Sequence, residues 1–582
     1  MAALLYRLGA WAYRRRRTVL MAWMAVLLAL GALAGTAGGA YEDDLSIPGS
    51  RAQQVLNTVA AEFPASSGAS AQVVFVAPEG RQVADHRPVI ARTLTAAAAA
   101  PQVVRVADPF TAGMVSPDGR IALAYVSYQE KRAQLEKSSL EALEEVFRPV
   151  REAGLRVEFG GSAYADTSSE GESGAEAVGL LIALAVLVIT FGSLVAAGLP
   201  LLTALLGVGA TITGLAAAAS LLTLPTTAPA LALMLGLAVG IDYALFLVAR
   251  HRSQLATGMP VAASAAQATG TAGTAVVFAG LTVVIALAGL TVVGIPFLSA
   301  MGLAAAAAVV VAVLVAVTLI PALLGFAGER LRPKPGSRVR RRECGDGRPT
   351  MGARWVRLVT RRPLVTTLAV VAALGVMAAP AAGLRLALTD NGSAPVASTQ
   401  RQAYDLTAAA FGPGFNGPLL VLADLANSAH GAADADRQAA ATALAERLGT
   451  VPGVAAVGRP QLSADDRYAL LTVIPETGPQ DERTEQVVAD LKAMGGEYVA
   501  VTGSTAIGLD ISELLRDSLV PFALIVLGLS FLLLMLAFRS LVVPVKAALG
   551  FLLSLGASLG AVVAVFQWGW LADLVGVSTT GR

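Results

Sequence analysis

The stretch from Ala228 to Arg250, APALALMLGLAVGIDYALFLVAR, places the tightest constraint on how this chain folds. It is long enough to cross a bilayer as a helix, yet it carries a carboxylate, Asp242, in its inner half. An Asp near the centre of a membrane helix costs about 2.5 to 3.5 kcal/mol, so an acid at this depth indicates a functional group, and proton carriage is one function that needs it. The structural alternative is an acid that caps or pairs between helices, although no Lys or Arg lies inside the other apolar runs near its depth.

Three neighbours of Asp242 share one face of this helix. At about 100° per residue, Gly236, Gly240 and Tyr243 align, and Asp242 points about 100° away from Tyr243. Because glycine lets helices approach closely, we expect neighbouring helices to pack at Gly236 and Gly240 and to meet the acid and the phenol from adjacent sides. Asp242 and Tyr243 are therefore predicted to form a proton relay.

The composition is that of a polytopic membrane protein and not of a large soluble enzyme. Of the 582 residues, 55% are hydrophobic and 14% charged, and the mean hydropathy is +0.65. The net charge of +2 implies no nucleic-acid surface. A single cysteine, Cys344, excludes an intramolecular disulfide, and the three histidines have no metal-ligand spacing, so we predict no metal, no cofactor and no redox chemistry.

Basic residues collect in short segments beside the apolar runs. His251 lies between Arg250 and Arg252 at the end of the acid-bearing stretch, which we interpret as a charged collar at the membrane edge. No nucleophile-elbow sequence accompanies this histidine, so catalysis by a Ser/His/Asp triad is not expected. The segment 326–362 is rich in arginine, and the positive-inside rule places it in the cytoplasm.

The apolar runs predict nine spans around two polar regions. The first run, about 18–39, fits either a signal peptide or a retained helix, and its length favours the helix. The predicted organisation is a cytoplasmic N-terminus with transmembrane helix 1 (1–39), an extracytoplasmic domain (40–176), helices 2 to 6 (177–325), the basic cytoplasmic loop (326–362), helix 7 (363–382), a second extracytoplasmic domain (383–516), helices 8 and 9 (517–566), and a lead-in to a tenth helix (567–582).

Both polar regions show the same series of short elements, in the order β-α-β-β-α-β. In the first region the predicted elements are strand 72–77, helix 85–99, strands 103–107 and 120–128, helix 134–153 and strand 155–160. In the second they are strand 418–423, helix 432–448, strands 454–457 and 467–474, helix 480–494 and strand 498–502.

The two halves also match in sequence. The pairs Phe191/Phe538 and Arg120/Arg467 begin similar stretches at an offset of 347, Gly161/Gly503 match at 342, and Arg7/Arg357 match at 350. The chain is therefore a tandem duplication. Each half holds one helix, one split-βαβ domain and a helical bundle, so the halves have parallel topology and are related by an axis along the membrane normal.

The stretches FGSLVAAGLPLLTALLGVG, LALMLGLAVGIDYALFLVARHR and TAGTAVVFAGLTVVIALAGL resemble those of the MMPL branch of the RND transporter superfamily. The resemblance implies a polytopic α-helical membrane protein with two extracytoplasmic α+β porter-like domains in the cell membrane. It also implies a secondary transporter driven by the proton-motive force, which exports lipids or other hydrophobic molecules and is not an enzyme. Asp242 and Tyr243 match the Asp-Tyr pair of the family's fourth helix.

The family has a second Asp-Tyr pair in its tenth helix, and this sequence ends at Arg582, before that helix. We therefore expect an incomplete transporter that does not pump alone. Another class of function stays open on the same bundle: a sterol-sensing or receptor-like protein, or a protein-translocation accessory. The substrate also stays open between lipid, lipid-linked sugar and drug, because no ligand-specific motif is present.

Overall fold

The computed structural model describes residues 1–39, 41, 51–64, 68–165, 172–333, 351–384, 390–426, 437–495 and 498–571. They form two compact units. The first contains Met1–Ser46, Gly171–Ala382 and Asp517–Gly560, and the second contains Ile47–Glu170, Gly383–Arg516 and Ala561–Arg582.

The elements follow the duplication seen in the sequence. In the first half they are α1 Ala2–Arg14, α2 Arg16–Ala37, α3 Arg51–Glu62, β1 Ser70–Val76, α4 Arg87–Ala97, β2 Val103–Ala107, α5 Pro109–Ala112, β3 Ile121–Tyr128, α6 Lys137–Val146, α7 Arg148–Glu152, β4 Arg156–Gly160, α8 Glu172–Phe191, α9 Leu194–Ala218, α10 Ala228–Ala256, α11 Val261–Ala288, α12 Pro296–Leu314 and α13 Ile320–Ala327. In the second half they are α14 Met351–Arg361, α15 Pro363–Ala378, α16 Thr399–Phe411, β5 Leu419–Asp424, α17 Arg437–Gly449, β6 Val454–Val457, β7 Gln461–Leu462, β8 Tyr468–Pro475, α18 Glu482–Gly495, β9 Val499–Thr502, α19 Ser504–Phe538 and α20 Val542–Val562.

Within the described residues, eight helices are long and apolar enough to cross a membrane. The predicted second span corresponds to a shorter apolar helix, Ala177–Phe191, which forms most of α8. The eight long helical segments are Arg16–Ala37, Leu194–Ala218, Ala228–Ala256, Val261–Val293, Pro296–Leu331, Pro363–Gly383, Ser504–Phe538 and Val542–Gln567.

Two amphipathic helices at the boundaries of the apolar runs were not predicted. Helix α1 packs against α11 through small residues: a Cβ built on Gly9 would lie 2.7 Å from the Cβ of Thr269, and one built on Gly270 would lie 3.0 Å from the Cβ of Tyr6. Helix α14 lies inside the segment that was predicted only as a basic loop. Both helices are short and contain arginine, so a search for long apolar runs does not detect them.

The second unit contains two antiparallel sheets with the strand orders β2-β3-β1-β4 and β6-β8-β5-β9, and β7 pairs with β8. The predicted β-α-β-β-α-β order is confirmed in each half, and most strand limits agree within two residues. The predicted helix 134–153 is divided into α6 and α7. Pro149 lies in the first turn of α7, where it lacks an N–H and disfavours continuation from α6.

Each sheet is covered on one face by a helix from the other half of the chain. Helix α3, from the first half, covers β5 and β8 with Val55 and Val59, which pack against Leu422 and Leu470. The Thr502 hydroxyl at the end of β9 also donates a hydrogen bond of 2.9 Å to the Ala52 carbonyl in α3. The second half supplies the matching cover for the first sheet.

Helix α16 provides that cover. Its Ala403 packs against Val74 of β1 and Leu123 of β3, and all three side chains are buried. The Phe159 N–H in β4 donates a hydrogen bond of 2.8 Å to the hydroxyl of Thr399, the first residue of α16. Neither α3 nor α16 was predicted, so the two halves of this unit exchange helices that the sequence patterns did not reveal.

The duplication extends to individual turns. The Ser116 hydroxyl donates to Asp118 at 2.5 Å and accepts the Ile121 N–H at 2.9 Å. The same turn recurs 347 positions later, where the hydroxyl of Ser463 donates to Asp465 at 2.6 Å. In both turns the serine hydrogen bond is the main cause that holds the pKa of the carboxyl below its ordinary value of 3.8.

We expect replacement of both turn serines by alanine to lower the melting temperature most at neutral pH. A lowered folded-state pKa contributes stability above the unfolded pKa, and wild type loses this contribution as the pH falls through the folded value. The deficit of the Ser116→Ala, Ser463→Ala variant should therefore narrow on acidification. Thermal unfolding between pH 7 and pH 3 measures it, and a deficit that is constant across this range would contradict the role assigned to the carboxyls.

Candidate functional site

Helix α10 carries the candidate site. It starts after Thr227 with Pro229 in its first turn, where a missing N–H costs nothing, and it ends just before Gly258, whose φ of 95° only glycine adopts readily. Between these limits its buried face packs against α9, α11 and α12. The acid-bearing helix therefore contacts three other helices of the first bundle.

The two glycines on its buried face set the distance to the neighbouring helices. A Cβ built on Gly236 would lie 3.2 Å from Val208 Cγ2, and one built on Gly240 would lie 3.1 Å from the Cβ of Ala204. Both contacts are with α9. A larger side chain at either position needs the two helices to separate.

We expect Gly240→Leu to destabilise the bundle by about 1 to 3 kcal/mol, because it overpacks the contact with α9. The matched control is Gly198→Leu on α9, where a built Cβ meets no described atom within 4 Å. Melting temperatures in detergent measure the difference. Equal losses in both variants would show that the close contact at Gly240 does not determine stability.

Tyr243 lies inside the bundle, and Asp242 lies on the outer face of α10. Tyr243 is 6% exposed, and a Cβ built on Gly280 of α11 would lie 3.5 Å from its ring. Asp242 is exposed and forms no hydrogen bond or ion pair with any described residue. Its neighbours one turn away on the same face are Phe246, which is 57% exposed, and Ala238. The carboxylate therefore sits in an exposed apolar stripe, an unfavourable setting for a charge in lipid.

A buried polar cluster lies about two turns C-terminal to Tyr243, on the buried side of α10. The Ser264 hydroxyl of α11 lies 2.8 Å from His251 Nδ1 and 2.9 Å from Gln254 Oε1. One consistent arrangement has His251 donating through Nδ1 to the serine, which then donates to Gln254. His251 and Ser264 are fully buried, so the cluster ties the C-terminal end of α10 to the N-terminal end of α11.

Two arginines hold the neighbouring helix ends. Arg252 donates to the Phe191 carbonyl at the end of α8 at 2.8 Å, and its guanidinium lies 5.2 Å from the centre of the Phe191 ring. Arg332 donates to the Leu255 carbonyl in the last turn of α10 at 2.8 Å. Arginine at a helix C-terminus satisfies unpaired carbonyls and opposes the negative end of the helix dipole.

The predicted charged collar at 250–252 is therefore wrong for two of its three residues. Arg250 is exposed, but His251 is fully buried and Arg252 is 3% exposed. Sequence reasoning missed Gln254 and Ser264 altogether. The spacing of His251 eight residues after Tyr243 was a usable signal, because it places both on one face of the helix. In the described part of the chain, no three His, Cys, Asp or Glu side chains lie close enough together to hold a metal ion.

A bundle of apolar helices with an acid on its central helix, joined to two repeated split-βαβ subdomains, defines a polytopic membrane transporter of the RND type. The chain belongs to the MMPL family, whose profile matches residues 44–366 and 393–579. It is 38% identical to the membrane protein YdfJ of Bacillus subtilis over 589 residues, which cover 100% of this chain and 79% of YdfJ.

Two mycobacterial relatives are more distant and longer. The chain is 31% identical to the mycolic acid-containing lipids exporter MmpL11 of Mycolicibacterium smegmatis, over 71% of this chain and 44% of that protein. It is 33% identical to the heme uptake protein MmpL11 of Mycobacterium tuberculosis, over 69% of this chain and 42% of that protein.

Proposed function

We propose that this protein is a secondary transporter, driven by the proton-motive force, that exports lipids or other hydrophobic molecules across the cytoplasmic membrane. The observation that carries the proposal is the isolated carboxylate of Asp242 on the exposed apolar stripe of α10. A charge there is costly, whereas a protonated acid is tolerated. Asp242 can therefore bind and release a proton as its surroundings change between states.

Tyr243 and the two glycines link a change of protonation at Asp242 to the packing of the neighbouring helices. The Tyr243 ring packs on α11, and Gly236 and Gly240 hold α9 close. A change of charge at Asp242 thus acts on the helix that contacts three others. The membrane potential contributes about 2.3 kcal/mol per charge per 100 mV, which is enough to bias a two-state bundle.

The lipid substrate class rests on the family of the chain and on one relative. One relative is named as an exporter of mycolic acid-containing lipids, which supports a lipid substrate, whereas another is named for heme uptake. Reconstitution into proteoliposomes with an imposed pH gradient tests the proposal. Movement of a fluorescent lipid that follows the gradient supports lipid export. Movement of heme in place of lipid would retain the proton drive and overturn the substrate class.

The proposed orientation places the second unit outside the cell, because the arginine-rich segment 326–362 is cytoplasmic by the positive-inside rule. The single cysteine, Cys344, allows a direct test. A membrane-impermeant maleimide should label it only after the cells are permeabilised. In a Cys344→Ser background, Glu79→Cys at an exposed position of the second unit should be labelled in intact cells. The opposite labelling pattern would invert the topology.

A further inference from the structure

We propose that helix α14 and the crevice at its junction with α15 form a binding site for an anionic phospholipid of the inner leaflet. Exposed apolar side chains are the first observation. Trp355 is 66% exposed, Leu358 is 63% exposed and Val359 is half-buried. At about 100° per residue, these three lie within an arc of about 100° on α14. An apolar stripe of this kind needs a covering layer.

The charges of α14 indicate which kind of layer covers its apolar stripe. Arg354, Arg357 and Arg361 lie within an arc of about 60°, separate from the apolar one. They form no ion pair with any described residue, and no acidic residue occurs in the sequence between Asp346 and Asp390. A short helix with tryptophan and leucine on one face and arginines on another is typical of helices that lie in the interface of an anionic membrane.

The repeat-related helix α1 shows why lipid fits this face better than another helix. The face of α1 that packs on α11 contains Gly9, which is buried. At the repeat offset of 350, the corresponding residue of α14 is Val359. A helix cannot approach valine as closely as it approaches glycine, so α14 lacks the small residue on which the contact of α1 depends.

The crevice extends the apolar face of α14 toward the membrane interior. It has a volume of about 410 Å³, and its walls include Val359 and Thr360 of α14, Thr366, Val370 and Leu374 of α15, and Leu553 of α20. Thr366 and Leu374 are eight residues apart, so this wall is about 12 Å long. The Thr366 hydroxyl donates to the Val359 carbonyl at 3.2 Å and ties the two helices at the mouth. An acyl chain can lie along this wall with its phosphate near the arginines.

The inner-leaflet position rests on the orientation proposed above, whereas binding itself is measured without reference to orientation or transport. The full chain is placed in nanodiscs of phosphatidylcholine with increasing phosphatidylglycerol, and hydrogen exchange of residues 351–361 is followed. Retention of phosphatidylglycerol by the detergent-solubilised chain is counted by native mass spectrometry. We expect this segment to become protected only as phosphatidylglycerol is added.

The variants separate charge, apolar contact and folding. Each arginine near an anionic surface contributes about a five-fold gain in affinity, so Arg354→Gln, Arg357→Gln and Arg361→Gln together should weaken retention about 100-fold. The same three positions changed to lysine should retain most of the affinity. Leu358→Gln should weaken retention by about ten-fold or more. The matched control changes exposed arginines of the second unit, Arg447, Arg459 and Arg483, to glutamine and should have no effect.

Three results would overturn the proposal. Equal protection of α14 in pure phosphatidylcholine would show that no anionic headgroup is recognised. Wild-type retention by the triple glutamine variant would remove the arginines from the site. Protection that depends on protein concentration and not on lipid would assign the apolar face to a second copy of the chain.

Discussion

Asp242→Asn is expected to abolish transport driven by a pH gradient while the protein still folds and inserts. The substitution removes the titratable group with almost no change in volume. Because Asp242 lies in an exposed apolar stripe of α10, the neutral amide also lowers the cost of placing this residue in lipid. Stability should therefore stay the same or rise, whereas the proton-coupled step has no group to carry it.

The comparison of transport in proteoliposomes with thermal stability in detergent distinguishes this outcome from misfolding. Asp490→Asn, at an exposed position of α18, is the matched control and should transport like wild type. Tyr243→Phe should reduce transport less, because it removes a hydroxyl and leaves the charge site in place. Undiminished gradient-driven transport by the Asn variant would exclude Asp242 as the proton carrier, and a larger loss in the Phe variant would make Tyr243 the more important member of the pair.

Val59→Asp is expected to disrupt the sheet of the other half of the chain. Val59 of α3 is fully buried against Leu422 and Leu470, and no cation lies in that apolar cluster as the structure describes it. Burial of an unpaired carboxylate costs about 3 to 5 kcal/mol, a large fraction of the stability of a small domain. The loss of protection should appear in β5 and β8, more than 350 residues from the mutated position.

Hydrogen exchange followed by peptide mapping measures this effect. The control is Ala60→Asp, which puts the same charge on the exposed side of α3 at the next residue. It should leave exchange in β5 and β8 unchanged. If Val59→Asp increased exchange only within α3 itself, the helix would be a passive cover and the two halves would be independent in stability.

Sequence patterns predicted those parts of the fold that depend on local periodicity. Strands β2 and β6 have the predicted limits of 103–107 and 454–457, because alternating short runs between turn residues determine them. The long spans follow from length and hydropathy alone. The repeat predicted a second subdomain of the same order, and the matched turns at Ser116 and Ser463 show that the likeness extends to single hydrogen bonds.

The remaining features depend on contacts between distant residues, which local patterns do not encode. Helix α3 is short and only moderately apolar, and its docking site on β9 involves residues 450 positions apart, Ala52 and Thr502. The candidate site likewise has one part that local patterns predict and another that depends on distant contacts. Asp242 stands out as an acid in an apolar run, whereas the burial of His251 depends on Ser264 of another helix. The sequence patterns placed His251 in a charged collar and did not indicate the neighbour that covers it.

The exchange of helices between the two halves has a consequence for the order of synthesis. Strand β4 emerges from the ribosome long before the helix that covers it, since Phe159 and Thr399 are 240 residues apart. At about 5 to 20 residues per second, the first sheet waits about 10 to 50 s with an apolar face uncovered. Helix α3 waits longer still for the second sheet. The first sheet is covered only once α16 has been made, and α3 is covered only once β9 has been made, so the nascent chain needs protection from aggregation over most of its translation.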